Sequence, residues 1–550
     1  MTYYDVDVYT RPVTTTSKEA QLWFDRGLVW TYSYHHEEAI ACFNRALEQD
    51  PNCAMAHWGV AYAIGPNYNM EWHHYDPAGK AKALAAAFDA TAAAMALREK
   101  VTGPERALID ALPARYPQRD PIEDQKPWND DFADAMRTAY RAFPQDIDVA
   151  TVFVEAILNR TPWQMWNIAT GSVAENAGTV EAREALERIM REHPHGMRHP
   201  GILHLYVHLM EMSPFPELAL KAGDVLRTLV PDAGHLIHMP THIDVQCGYY
   251  QAVVVDNLRG VTADLKYYDQ VGAMNFYTAY RIHNYHFAIY GAMFLGQYEP
   301  ALAAAEALIA TTPEELLRVP SPPMADFIES YIPMKQHVYI RFGKWREIIA
   351  QELPADRELY CTTVASIHYA KGVAHAALGE VAEAERERTL FLAAKAKVPE
   401  SRRLHNNICT DLFEIAAAML DGEIEYRKKN YDAAFAHLRR AVALDDALPY
   451  DEPWGWIQPT RHALGALLLE QGRVDEAEIV YREDLGLGGT LSRAMIHPDN
   501  VWSLRGLHDC LARRGDSAER RLIKQRLDLA AARADGPVKV SCFCAGRNAA

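Results

Sequence analysis

Ten of the 23 histidines lie between His193 and His286, and several stand at helical spacing. His204 and His208 are four residues apart within ILHLYVHLMEM, after Pro200. That spacing puts both imidazoles on one helix face, and Glu211, three residues on, shares it. His238 and His242 form a second such pair around Pro240. Proline is tolerated in the first helical turn, so a helix is expected to start near Met239, with His238 at its mouth, His242 one turn in and His235 in the preceding loop. On facing helices the two pairs converge. Imidazole ligates zinc, iron, nickel and copper, and a catalytic zinc site uses three protein ligands with a fourth position for water. The chemistry expected is therefore that of a divalent metal held by His204, His208, His238 and His242, zinc first, with copper or iron as alternatives. Glu211, or Glu155 if the fold brings it near, suits a base or an orienting carboxylate. Asn257, His283, Asn284 and His286 follow as further ligands, catalytic groups or substrate contacts. His73, His74, His193, His195 and His199 sit in loop-like settings where exposure is the default. Positions 205 and 239 are Leu and Met, so the pattern is not the HExxH of zinc peptidases.

Two cysteines add to this list. Cys542 and Cys544 straddle Phe543 near the end of the chain. An extended CxC points its thiols apart, whereas a turn brings both to one metal. The pair is read as metal-ligating or redox-active on a tail docked against the helices, and the competing reading is a tail that merely packs. Asn67 and Asn69 in GPNYN are turn-capping residues or ligand contacts. Trp454 and Arg461, in and just after a proline-bounded loop, are candidates for lining a pocket. The chain carries no P-loop, dinucleotide fingerprint or G-x-S-x-G elbow.

The elements that must position these residues are helices. AQLWFDRGLVWTYSYHHEEAIACFNRALEQDP runs into NCAMAHWGVAYAIG; small residues at Gly27, Ala39 and Ala46 allow close helix contact, and Asp50-Pro51 marks a stop and restart. Similar pairs recur at 283–313, 335–354 and 367–399, and in further stretches to the end of the chain. Each turns at a Gly or Asn and restarts with an acidic residue and Ala nearby. The pattern resembles the tetratricopeptide repeat, two helices in about 34 residues. An all-α helical-repeat solenoid is expected, of a kind that can close around a central cavity. Its expected divisions are N-terminal repeats with loop insertions over 1–189, a histidine-rich helical core over 190–290, C-terminal repeats over 291–530 and a cysteine-containing tail over 531–550.

The 550 residues include 49% hydrophobic residues and carry a formal net charge of −17. That balance disfavours nucleic acid, which needs basic surface to displace counterions. No secretory signal or charge-free stretch of spanning length is evident, and the eight cysteines are scattered. The expectation is therefore a cytoplasmic protein with neither membrane nor nucleic-acid partner and no disulfide framework. A homo-oligomer is compatible with the sequence but not specified by it.

Several motifs together resemble large bacterial tetratricopeptide-repeat proteins of about 500 to 600 residues. They are WFDRGL at 23–28, HEEA at 36–39, DPNCAMAHWG at 50–59 and GPNYN at 65–69. Further along come HPG at 199–201, His204 with His208, HMPTHI at 238–243, DEP at 451–453, Trp502, Ser503 and Leu504 with Gly506 and Leu507, and SCFC at 541–544. The resemblance implies the repeat fold and a shared set of polar residues, without an activity. It also marks a departure: Ser33-Tyr34-His35 stands where Gly-Phe-Asn is more usual, which alters one wall of any pocket. Two functions stay open. One is a metal-dependent enzyme acting by hydrolysis or oxidation on a small molecule or peptide. The other is a non-catalytic protein, either a peptide-binding scaffold or a metal binder.

Overall fold

A computed structural model describes residues 3–545, and they are overwhelmingly α-helical. Strand among the described residues is confined to two short hairpins, Trp166–Asn167 with Ser172–Val173 and Arg403–Leu404 with Asn407–Ile408. The chain is an all-α helical-repeat protein, and among the described residues no helix is long and apolar enough to cross a membrane.

Contacts divide it into two units, Met1–Ile243 with Arg259–Gln270, and Asp244–Leu258 with Val271–Ala550. In the first, Lys18–Tyr32 packs on His36–Gln49, Ala54–Ile64 on Pro77–Leu97, Gly103–Arg115 on Lys126–Ala142, Ile147–Leu158 on Thr179–Glu192, and Pro200–Met210 on Leu220–Leu229. The second repeats the plan with Thr278–Leu295 on Tyr298–Ala310, Cys361–Leu378 on Val381–Lys395, Cys409–Arg427 on Tyr431–Asp446, Thr460–Glu470 on Val474–Asp484, and Val501–Arg514 on Ser517–Ala531.

The first repeat shows why these residues pack so. Phe43, fully buried, wedges between neighbouring helices. A Cβ on either Gly27 or Gly59 would lie 2.6 Å from its ring. Small residues are therefore needed opposite a large one, which is how helices of a repeat approach closely. Ahead of that repeat, residues 3–14 form no helix yet are stitched to the unit by side chains. Tyr3 Oη donates to Glu38, the Asp5 N–H to Asp232, Tyr9 Oη to Asp148, and Thr14 Oγ1 to Glu105.

One local expectation is corrected. His235 lies in a short helix, Gly234–His238, rather than in a loop. The next helix, Pro240–Gln246, starts at the proline. Proline has no N–H to continue the preceding turn, so the segment breaks at Met239 and resumes.

Candidate metal centre

The helix Pro200–Met210 carries His204 and His208, and its position is set from its first turn. Proline occupies its start, and the buried His199 caps it, Nδ1 accepting the Ile202 N–H at 3.2 Å. With Nδ1 an acceptor, His199 carries its proton on Nε2, which donates to Asp148 at 3.2 Å. Asp148 also accepts from Tyr32 Oη at 2.5 Å, Tyr9 Oη at 2.7 Å and Arg11 at 2.6 Å. Burial opposes its ionisation, but Arg11 and His199 outweigh that and hold the carboxyl well below the usual range. Gly201 admits the close approach this hub requires, because a Cβ there would stand 2.6 Å from Thr151 and 2.9 Å from Tyr32.

That approach brings the end of the helix Lys18–Tyr32 against His204. The His204 Nδ1–H donates to the Tyr32 carbonyl at 2.7 Å, which leaves Nε2 with a free lone pair. This lone pair faces His235 Nε2 at 3.1 Å. One turn on, the His208 Nδ1–H donates to Glu211 Oε1 at 3.1 Å, while the His242 Nδ1–H donates to Glu211 Oε2 at 2.7 Å. One carboxylate thus fixes two rings with their Nε2 atoms turned away from it. Nitrogen atoms of His204, His208 and His235 all lie within 4.8 Å of one another. Two imidazoles on a tetrahedral zinc, with bonds of about 2.0–2.1 Å, have their nitrogens roughly 3.3–3.4 Å apart. The 3.1 Å separation of His204 and His235 is near that value. His238 and His242 face each other at 2.7 Å through their Nε2 atoms, a hydrogen-bond distance. With His242 Nδ1–H committed to Glu211, His238 Nε2–H is the donor.

The surroundings are dry and aromatic. His204, His208, Glu211, His235, His238 and His242 are each at most 2% exposed. Burial pushes His204 down to about 3, against the pull of the Tyr32 carbonyl, so its ring is neutral as a metal ligand must be. Tyr34 lies stacked against His208 and His235, with ring centroids 5.8 and 5.7 Å away, and tilted on His204 at 4.5 Å. Tyr68 also packs on His208 at 4.4 Å and rests on Trp163. Tyr34 holds a left-handed backbone, φ +54°, a conformation that costs a non-glycine residue about 1–2 kcal/mol. The turn that the sequence marks as a departure therefore supplies a wall of the histidine cluster.

Of the other expected residues, Glu155 is fully buried in the same unit and accepts from Tyr62 Oη at 2.5 Å. Burial raises its carboxyl, with Tyr62, Arg115 and Tyr34 pulling the other way. Asn67 closes a turn by accepting the Asn69 N–H at 2.9 Å, and its amide reaches His36 at 3.4 Å. Asn257, His283, His286, Trp454, Arg461, Cys542 and Cys544 belong to the second unit. Asn257 Nδ2 donates to the Val253 carbonyl at 2.7 Å. His283 stacks on His405, and buried His286 is edge-on to Tyr331. Trp454 Nε1 donates to Asp445 at 3.0 Å and its ring lines a small cavity. Arg461, expected to line a pocket, is occupied instead by ion pairs to Asp446 and Glu483. Cys542 and Cys544, expected as metal ligands, stand in their oxidised form. They are joined to each other in a disulfide, which in that form has no thiolate to offer a metal, while the remaining six cysteines form no disulfide. The tail does dock: Ser541 Oγ meets Tyr481 Oη at 2.5 Å, and Phe543 packs edge-on to Trp502.

The sequence reading missed a polar network in the second unit. Asp484 accepts from His462 Nε2 at 3.0 Å, His497 Nδ1 at 2.8 Å, Asn500 Nδ2 at 2.9 Å and Ser503 Oγ at 2.5 Å. The Asn500-x-x-Ser503 helix start was its one local signal, since Asn500 caps the helix Val501–Arg514.

Comparison with known proteins identifies one repeat. The tetratricopeptide repeat family model matches residues 20–53, the first helix pair. No curated protein matches the sequence. Among solved structures, a human IFIT1 dimer with m7Gppp-AAAA is 13% identical, covering 87% of this chain and 90% of that one, with a TM-score of 0.32. A Naa15/Naa10 complex bound to HypK-THB is 14% identical over 93% and 70%, TM-score 0.22. The P58(IPK) TPR domain is 15% identical over 82% and 99%, TM-score 0.19.

Proposed function

We propose that the first unit holds a divalent metal, zinc foremost with copper or iron as alternatives, on His204, His208 and His235, and that the protein is a metal-dependent enzyme acting on a small molecule or peptide. The observation that carries this reading is the hydrogen bonding of the unused ring nitrogens. Tyr32 and Glu211 take the Nδ1–H of His204 and His208, which makes Nε2 the atom each ring would offer to a shared metal. Pairing of an imidazole N–H with a carboxylate or carbonyl is the usual support of a histidine metal ligand. Three imidazoles without thiolate suit zinc and leave a coordination position open. Bound there, the metal would supply Lewis acidity and lower the pKa of a water. Glu211 acts by orienting rings, since each of its oxygens already receives an imidazole N–H. Glu155, raised by burial and reached from Tyr34 and Tyr62, is the better placed proton carrier. His238 and His242, expected among the ligands, are placed here as a hydrogen-bonded pair beside the three.

Metal analysis of tag-free protein tests this. About one equivalent of one metal per chain is expected, with loss of it in folded His204→Ala and His208→Ala variants. Metal-free protein after incubation with zinc, copper and iron would sink the reading. It would leave the scaffold alternative, which the repeat at 20–53 supports.

A further inference from the structure

The disulfide between Cys542 and Cys544 lies beside groups suited to exchange chemistry, and the metal reading makes no use of it. Both cysteines line a small cleft of about 30 Å³ in the second unit, together with Arg341, Tyr369, Glu423, Trp456 and His462. The two sulfurs are not equivalent. Cys544 is 4% exposed, whereas Cys542 is only partly buried. The Cys544 N–H donates to Cys542 Sγ at 3.3 Å, a contact that favours negative charge on that sulfur. Arg427 donates to the Cys544 carbonyl and stands 3.6 Å from Glu423. Glu423 Oε2 is buried without a hydrogen bond.

We propose that Cys542 and Cys544 form a redox-active pair that exchanges with low-molecular-weight thiols and disulfides, with Glu423 as proton donor to the buried sulfur. A substrate thiolate attacks the accessible Cys542 Sγ. The Cys542–Cys544 bond breaks, and the Cys544 sulfur leaves with the electron pair and takes the Glu423 proton. A second substrate thiolate then attacks the substrate sulfur of the mixed disulfide, releasing Cys542 as thiolate, which is protonated. Two substrate thiols become one disulfide, two electrons and two protons pass to the cysteine pair, and an excess of small-molecule disulfide drives the reverse. The rate of such exchange is governed by access to the attacked sulfur and by the ease of the leaving thiolate, which the unequal burial and the nearby acid supply. Burial raises Glu423 to about 7, with Arg427 opposing and Glu470 reinforcing the shift, so it still holds a proton to give near neutrality. Tyr369, the other titratable group recorded against it, is raised by burial and stays neutral there.

The test uses full-length protein in mixtures of reduced and oxidised glutathione, quenched by alkylation and read by mass. The double variant Cys542→Ser/Cys544→Ser corrects for the six other cysteines. The 541–545 peptide should interconvert between disulfide and dithiol as the mixture changes. Cys544→Ser should accumulate one glutathione on Cys542, and Glu423→Gln should slow reduction about tenfold and remove a pH inflection near 7. A pair that stays in one state across all mixtures, or a Cys544→Ser variant without adduct, overturns the proposal. A Glu423→Gln rate and pH profile equal to wild type overturns the role of Glu423. Metal content does not enter this readout.

Discussion

Each unit contains a buried carboxylate gripped by two imidazoles, and the two are built to opposite ends. Around Asp484 every donor finds its acceptor: His462 and His497, then Asn500 and Ser503, all close on the same carboxylate. The second nitrogen of His462 is also used, accepting from Arg341 at 2.7 Å. Around Glu211 the carboxylate takes one N–H from each of two rings, and the remaining nitrogens of the cluster are turned on other imidazoles. A network that closes on itself stabilises a core. The network around Glu211 instead passes from ring to ring through further imidazoles. The same two residue types therefore build a closed or an extended network according to what the far side of each ring meets.

Substitutions can break this contrast. The largest effect is expected from Asp484→Asn, which strips the closed network of its charge. A loss of about 3–5 kcal/mol in denaturant unfolding with unchanged metal content fits the comparison, and a parallel loss of metal would break it. Glu211→Gln should do the reverse, weakening metal affinity about 10–100-fold in a competition titration with a smaller stability loss. Acid sharpens the distinction further. Burial outweighs the attraction of Asp484 and lowers His462 from 6.5 to about 4. The unfolded chain therefore takes up this proton first. The stabilisation is fully present above about 6.5 and is lost as pH falls toward 4, and Asp484, held well below 3.8, extends the loss below that. Unfolding curves at pH 7 and pH 5 should show this decline, and His462→Gln should flatten it. Smallest of all, Ser503→Ala removes one hydrogen bond among four and should cost about 1 kcal/mol, with no change in metal content.

The helical pairs were legible because small and bulky residues alternate at fixed offsets, and Gly27 against Phe43 shows that signal in contact. His204, His208 and Glu211 were legible as one helix face because their spacing is local. The orientation of those rings was not, since the Tyr32 carbonyl and the Tyr34 ring come from some 170 residues away. The short helix that holds His235 was not legible either, since its five residues, Gly234–His238, are too few to show a period. The Asp484 network escaped notice because its members span four elements with no common period. Arg461 looked available only because Asp446 and Glu483 lie on other helices.

The segment 3–14 gives the first unit a property that stacked repeats ordinarily lack. Such stacks are quasi-one-dimensional, each pair leaning only on its neighbours and free to fray from the end. Here one short stretch without helix is bonded to Glu38, Glu105, Asp148 and Asp232, which are far apart in sequence. Opening the first pair must also release the hub that caps the histidine-bearing helix. Amide hydrogen exchange should therefore find the outermost helices of this unit protected nearly as well as its centre. Clipping a dozen residues should melt the unit as a whole rather than peel one repeat from it.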